Sequence, residues 1–204
     1  MIHGIINVYK EKGFTSHDVV AKLRGIVGQK KIGHTGTLDP DATGVLPVCL
    51  GKATKLCDLL TDKNKTYEAV LLFGKTTDTQ DITGEVLEEK STEALTEEKV
   101  REAIEGFIGD YEQIPPMYSA LKVNGKKLYE LAREGKVIER KARPVKILDI
   151  QILEIDLPKV RMEVSCSKGT YIRTLCHDIG EKLGCGGCML SLIHISEPTR
   201  HLRI

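Results

Sequence analysis

Apolar positions recur along this chain with two different periods, and those periods separate its helices from its strands. "GIINVYKEKG", from Gly4, alternates and then turns, which predicts a short strand running into a loop. Val19, Val20, Leu23 and Val27 then share one helical stripe, with Ser16 placed to cap it. "KATKLCDLL" predicts a short helix, and "KTYEAVLLFG" a strand bounded by the turn-rich "TDKN" and "GKTTDTQDITG". Thr96 opens an acid-first helix, "EEKVREAIEGFIG", with Val100, Ile104 and Phe107 on one side. Asn124-Gly125 predicts a tight turn before a short basic helix. "RPVKILDIQILEI" and "KVRMEVSCSKG" predict two long strands. "TYIRTLCHDIGEKLG" predicts a helix ending at Gly184, with Thr170 near its start and Lys182 in its last turn. Strands and helices interleave without strict alternation, so the expected class is α+β, a sheet with helices against it. No internal repeat is present.

One stretch, "KKIGHTGTLDPDATGVLP", fits neither period. Gly33, Gly36 and Gly44 permit tight turns, which predicts a shaped loop holding two carboxylates, Asp39 and Asp41. Asp-Pro opens turns, so a purely structural use is the plain alternative. A phosphate-binding P-loop fails on spacing: six residues separate Gly44 from Gly51-Lys52, and Ala53 stands where a hydroxyl is needed. "DPDAT" fits the D-x-D-x-T of aspartyl phosphatases. Those carboxylates hang from a buried hydrophobic strand, however, and the glycine-interrupted "IGHTGTL" is not one.

Composition narrows the function classes. With 204 residues, 41% of them hydrophobic and 29% charged, the chain has material for one good-sized core. No apolar run reaches the roughly 20 residues of a membrane span, and "MIHGIINVYKEKG" lacks the features of a secretory signal, so the expected location is the cytoplasm. Of six cysteines, Cys49, Cys57, Cys166 and Cys176 lie singly among apolar residues, while Cys185 and Cys188 form a CxxC without the second pair a zinc site needs; reduced thiols are expected. The net charge of +1 conceals asymmetry. Residues 119–146 hold nine Lys or Arg against three Glu, and residues 78–112 hold twelve acidic residues against three basic ones. A basic arm of that kind suits phosphates, although two solvated faces would read the same way. Leu190–Arg200, "LSLIHISEPTR", shares no pattern with what precedes it and resembles the translation of a sequencing-library adapter. The authentic sequence is therefore expected to stop near Met189, with 190–204 a non-native tail, and Cys188 and His194 are left out of any site.

Five blocks in order carry a resemblance: "NVYKEKGFTSHDVV", "GHTGTLDPDATGVLPVCLGKATK", "KTYEAVLLFGKTTDTQDITGE", "QIPPMYSALKVNGKKLYELAREG" and "CSKGTYIRTLCHDIGEKLGCGG". Together they resemble the B-type tRNA pseudouridine-55 synthases. That resemblance implies a pseudouridine synthase fold, with a mixed or antiparallel central sheet, flanking helices and an active-site cleft, over residues 1–189. It implies a thumb-like RNA-binding insertion near 115–140, and no C-terminal PUA-type module is expected in this sequence. The activity implied is isomerisation of uridine-55 in the TΨC loop of tRNA, without metal or other cofactor, by a monomer needing no obligate protein partner. By resemblance Asp39 is the catalytic carboxylate, Arg173 its cationic partner, and Tyr67 the ring that stacks on the extruded base. His34 lies near the extruded nucleotides, and Lys12, Lys122, Lys126, Lys127, Arg133 and Lys168 are expected to touch RNA. Asp41 departs from the pattern and is assigned no role. A non-catalytic tRNA-binding or folding protein on the same scaffold is the rival. In the family a basic "LRR"-type segment follows the matched region; with the adapter-like tail in its place, weak or absent turnover is expected of this chain.

Overall fold

The computed structural model describes residues 1–61 and 64–196, so the predicted turn at 61–64 and the end of the 190–204 tail lie partly outside the described residues. The chain divides into two compact units, 1–68 with 165–168 and 191–204, and 69–164 with 169–190.

The first unit contains β1 (Gly4–Lys10), α1 (Ser16–Val27), β2 (Ile32–His34), β3 (Thr43–Leu50), a 3-10 turn at Gly51–Leu56, α2 (Cys57–Thr61) and the start of β4 (Lys65–Phe73). Strand β1 runs antiparallel to β3, from Gly4 opposite Leu50 to Lys10 opposite Gly44, and β2 pairs antiparallel with the end of β3. The α1 stripe is where the periodicity placed it. Val19 and Val20 are buried with Ile32, Leu46, Val48 and Leu50, and Ile6, Val8, Phe14, Leu23 and Val27 pack around them. Each buried aliphatic side chain contributes about 1.5–3 kcal/mol, so this face, more than intrinsic propensity, holds a three-turn helix. The cap is one residue earlier than expected. Thr15 accepts from the Asp18 backbone N–H, and the Asp18 carboxylate accepts in return from the Thr15 N–H, a reciprocal box. Ser16 is thereby released for another use.

The second unit continues β4 and adds β5 (Lys75–Thr77), β6 (Val86–Glu89), α3 (Glu97–Glu105), β7 (Gly109–Gln113), β8 (Lys122–Val123), β9 (Lys126–Lys127), α4 (Leu128–Arg133), β10 (Arg143–Asp156), β11 (Lys159–Cys166), α5 (Ile172–Lys182) and the start of β12 (Gly187–Ser196). Within it the strand order is β4, β11, β10, β7, with β7 antiparallel to β10 from Gln113 opposite Arg143 to Gly109 opposite Ile147. Thr96 caps α3 as expected, and Val100 and Ile104 are buried. Phe107 lies beyond the helix, packed edge-on against Tyr111.

Strand β12 has no counterpart in the sequence-based reading. Its last residues lie in the first unit, where Ile193 and His194 pair in parallel with Thr43 and Gly44 of β3, and Leu192 and His194 are buried. A parallel pairing beside antiparallel ones makes the sheet mixed, and the class is α+β. All six cysteines are free thiols. No helix among the described residues is long and apolar enough to cross a membrane.

Candidate active site

Asp39 sits half-buried in the loop 35–42 between β2 and β3. The loop is shorter than expected, because β2 and β3 take up both ends of the glycine-rich stretch. Gly33 is a strand residue, and Gly44 alone of the three has a positive φ, 119°. A Cβ on Gly44 would lie 2.2 Å from the carbonyl oxygen of His194, so that strand pairing demands glycine. The loop is anchored from below by a residue that sequence reasoning passed over. Lys10 is fully buried, and its Nζ donates to the carbonyls of Glu11 (3.1 Å), Phe14 (2.6 Å) and Pro40 (3.1 Å). Burial lowers the pKa of that ammonium, and the charges of Asp39, Asp41 and Asp18 oppose the shift. Gly13 N–H also donates to Pro40 (2.9 Å), and the Leu38 N–H donates to the Ser16 hydroxyl (2.9 Å), a bond that needs Ser16 free of capping duty. Asp39 is therefore flanked by two fixed peptides, Leu38 and Pro40. Asp41 is exposed and pairs at 3.5 Å with exposed Lys12, one of the expected RNA contacts.

Tyr67 lies on β4, half-buried, with its ring centroid 5.1 Å from that of His194 and the planes tilted by 40°. His194 was excluded from the site by the sequence reading, yet its Nδ1 lies 2.5 Å from the Val45 carbonyl. His34 ends β2, half-buried; desolvation lowers its pKa, which favours the neutral ring, while a backbone hydrogen bond to Gly36 works the other way. Lys168 is exposed in the same unit.

Arg173 belongs to the second unit, on the first turn of α5, and is 7% exposed. It is not the surface arginine of an amphipathic helix. Its guanidinium faces Asp81 at 3.5 Å and donates to the Tyr118 carbonyl at 2.8 Å. Asp81 is itself held by the Thr83 hydroxyl (2.6 Å), the Thr83 N–H (3.0 Å) and the Thr79 hydroxyl (2.9 Å). Gln113, also buried, accepts from the Tyr171 N–H (2.8 Å) and donates to the Tyr171 carbonyl (3.0 Å), fixing the peptide that precedes α5. Neither Asp81 nor Gln113 was singled out from sequence; both are distant in the chain from what they hold.

Four of the expected RNA contacts form one motif in the second unit. Asn124 (φ 52°) and Gly125 (φ 84°) close the two-residue hairpin of β8 and β9, as the Asn-Gly pair predicts. Lys122 and Lys126 are exposed on it, Lys127 donates to the Tyr129 hydroxyl (3.1 Å), and Arg133 lies over the same ring at 5.4 Å. Lys126 also pairs with Glu134 at 3.6 Å. Among the described residues no group of three or more His, Cys, Asp or Glu could hold a metal ion.

Residues 24–172 match the N-terminal domain of the TruB family of pseudouridylate synthases. The chain belongs to that family. It is 68% identical over 200 residues to tRNA pseudouridine synthase B of Lachnoclostridium phytofermentans, covering 94% of this chain and 65% of that protein. It is 57% identical over 191 residues to the protein of the same name in Clostridium novyi, covering 94% and 66%. The chain thus spans about two thirds of the length of these relatives. Among solved structures it is similar to a Cbf5-Nop10-Gar1 complex, with a TM-score of 0.74 and 34% identity, covering 95% of this chain and 48% of the matched one. An H/ACA ribonucleoprotein bound to a substrate RNA containing 2′-deoxyuridine gives 0.71 and 31%, covering 95% and 47%. This membership agrees with the sequence-based reading of the five ordered blocks, and the fold is that of a pseudouridine synthase.

Proposed function

We propose that this chain isomerises uridine-55 of tRNA to pseudouridine, with Asp39 as the catalytic carboxylate. The observation that carries the reading is the mounting of Asp39: a loop carboxylate between two peptides pinned by the buried Lys10 and Ser16. A carboxylate that merely made a turn would not need a buried ammonium beneath it.

The reaction breaks C1′–N1, turns the uracil and forms C1′–C5; N1 gains a proton and C5 loses one. Atoms and electrons balance within the nucleoside, so no redox partner enters. One carboxylate held close to the ribose and base suffices, whether it bonds to C1′, adds to C6 or removes the C2′ proton. Arg173, buried and held by Asp81 and the Tyr118 carbonyl, is the cation of the proposed catalytic set. Tyr67 offers the face on which the flipped base stacks, and His34 fills space beside the extruded nucleotides. Lys122, Lys126, Lys127 and Arg133 contact phosphates of the TΨC stem-loop, with Lys12 and Lys168, positioning the RNA without reading its sequence. The protein acts in the cytoplasm as a monomer.

The test is Asp39→Asn. Because the chain spans about two thirds of its relatives, pseudouridine at position 55 is mapped under single-turnover conditions with protein in excess. Wild type converts the site, and the variant binds the transcript equally but converts none. A variant that converts as well as wild type refutes the reading; equal binding with no conversion by either protein, also when the chain is extended to the length of its relatives, is the signature of the rival, a tRNA-folding protein.

A further inference from the structure

A second feature of the first unit extends beyond His34 to residues with no part in the roles above. A cavity of about 400 Å³ opens beside β2, its lining including buried Val20 and Ile32 together with Gly33 and His34. Its volume lies at the low end of the ~300–1,000 Å³ typical of ligand pockets. Arg24, Lys30 and Lys31 stand exposed at its rim with His17, and no carboxylate among the described residues lines it.

Several surface cations elsewhere have acidic partners: Lys75 with Glu89, Lys90 with Glu88, Arg101 with Glu97, Lys146 with Asp110, Arg161 with Glu154. None of Arg24, Lys30 and Lys31 sits in an ion pair among the described residues. Three uncompensated charges around one concavity repel one another and await an anion. The backbone that carries them is fixed. Gly28 ends α1 in the left-handed conformation, and the Gln29 side chain joins the backbone of Ile2 at 2.8 and 3.1 Å. Arg24 Nε donates to the Lys30 carbonyl at 3.2 Å, which ties one rim cation to the turn that holds the other two.

From this we infer that the cavity is a phosphate subsite for the RNA backbone, taking a phosphodiester that flanks the nucleotides near His34. The inference rests on the proposed RNA substrate and adds a second anchor, distinct from the Lys122–Arg133 hairpin. RNA is favoured over an acidic peptide because the lining of the cavity, through Gly33 and His34, leads within five residues to Asp39. A strand entering the Asp39 loop therefore has its backbone at hand.

The experiment is a salt titration of tRNA binding by the full chain, wild type against the triple variant Arg24→Gln, Lys30→Gln, Lys31→Gln. The control is Lys90→Gln, Arg101→Gln, Lys146→Gln, which removes as much charge from paired positions. Circular dichroism melting confirms that both remain folded. The pocket variant is expected to bind at least ~10-fold more weakly near 0.1 M salt, with a log–log salt slope shallower by about 2, since each phosphate left without its cation flattens the slope by ~0.7–0.9. The control should lose less than ~3-fold, with its slope little changed. Equal losses in both triples, or wild-type slope in the pocket variant, overturns the subsite and leaves the proposed function standing. Failure of wild type to bind tRNA more tightly than duplex DNA of equal charge would instead remove the RNA reading itself.

Discussion

The Asp39 loop and the Lys122–Arg133 hairpin both carry charged side chains assigned to the same RNA, yet they are built in opposite ways. The loop is clamped from inside: a buried ammonium with three carbonyl acceptors and a buried hydroxyl hold the peptides on either side of Asp39. The hairpin has two-residue strands and a six-residue helix anchored by one fully buried side chain, Leu128; its Lys127 and Arg133 rest on the Tyr129 ring and its Lys126 on an exposed carboxylate. A group that takes part in bond rearrangement gains from fixed geometry, because misplacement of about 1 Å can cost ~100-fold in rate. A group that meets phosphates gains from reach, because point-charge contacts tolerate displacement and act through counterion release.

Substitutions can break this contrast. The largest effect is expected for Lys10→Met, which keeps the aliphatic stem, removes the ammonium donor from the Glu11 and Phe14 carbonyls and leaves Pro40 with the Gly13 N–H. Urea unfolding should show a loss of about 3 kcal/mol, and single-turnover conversion should fall at least ~100-fold. If Lys10→Met unfolds like wild type, the loop is not held from below. Next is Asp81→Asn, which removes the charge facing Arg173 while keeping an acceptor for Thr83. Conversion should fall by ~10–100-fold with tRNA affinity retained, and Arg173→Lys in the same chain should add little further loss. Ser16→Ala should cost about 1 kcal/mol and slow conversion, again without changing affinity. Lys126→Gln should leave stability within ~0.5 kcal/mol, weaken tRNA binding by a few-fold and flatten the salt slope by about 0.7–0.9.

The smallest effect is one of pH. Burial lowers the pKa of His34 from its ordinary value, so below about 6.5 the unfolded chain binds more protons than the folded one. The stability linked to His34 is thus complete above pH 6.5 and is lost as pH falls through the folded-state pKa. Urea midpoints of wild type should drop between pH 7 and 5, and His34→Asn should drop less; an identical drop in both would place the acid sensitivity elsewhere.

Much of the frame could be read from residue order. Val19, Val20, Leu23 and Val27 state the α1 stripe directly, Asn124-Gly125 states its hairpin, and the two long strands follow from alternation. Lys10 was legible too. It occupies the inward phase of β1 after Ile6 and Val8, and a lysine in that phase is a buried lysine unless the strand ends first. The Arg173–Asp81 and Gln113–Tyr171 contacts were not legible, because no local period links residues 92 and 58 positions apart. β12 escaped for a different reason. "CGGCML" drew attention as a thiol pair and "LSLIHIS" as foreign sequence, which hid an alternation that buries Leu192 and His194. The ring beside Tyr67 is therefore supplied by a segment that had been set aside.

The hydrogen that the reaction must expel from C5 reports on Asp39 most directly. A tRNA transcript carrying 5-tritiated uridine is mixed with excess protein, and tritium released to water is counted for wild type and Asp39→Asn, on the normal transcript and on one with cytidine at position 55. Wild type on the normal transcript should release one tritium per tRNA, and the other three cases none. Release that persists with Asp39→Asn, or with cytidine at position 55, would contradict the proposed function.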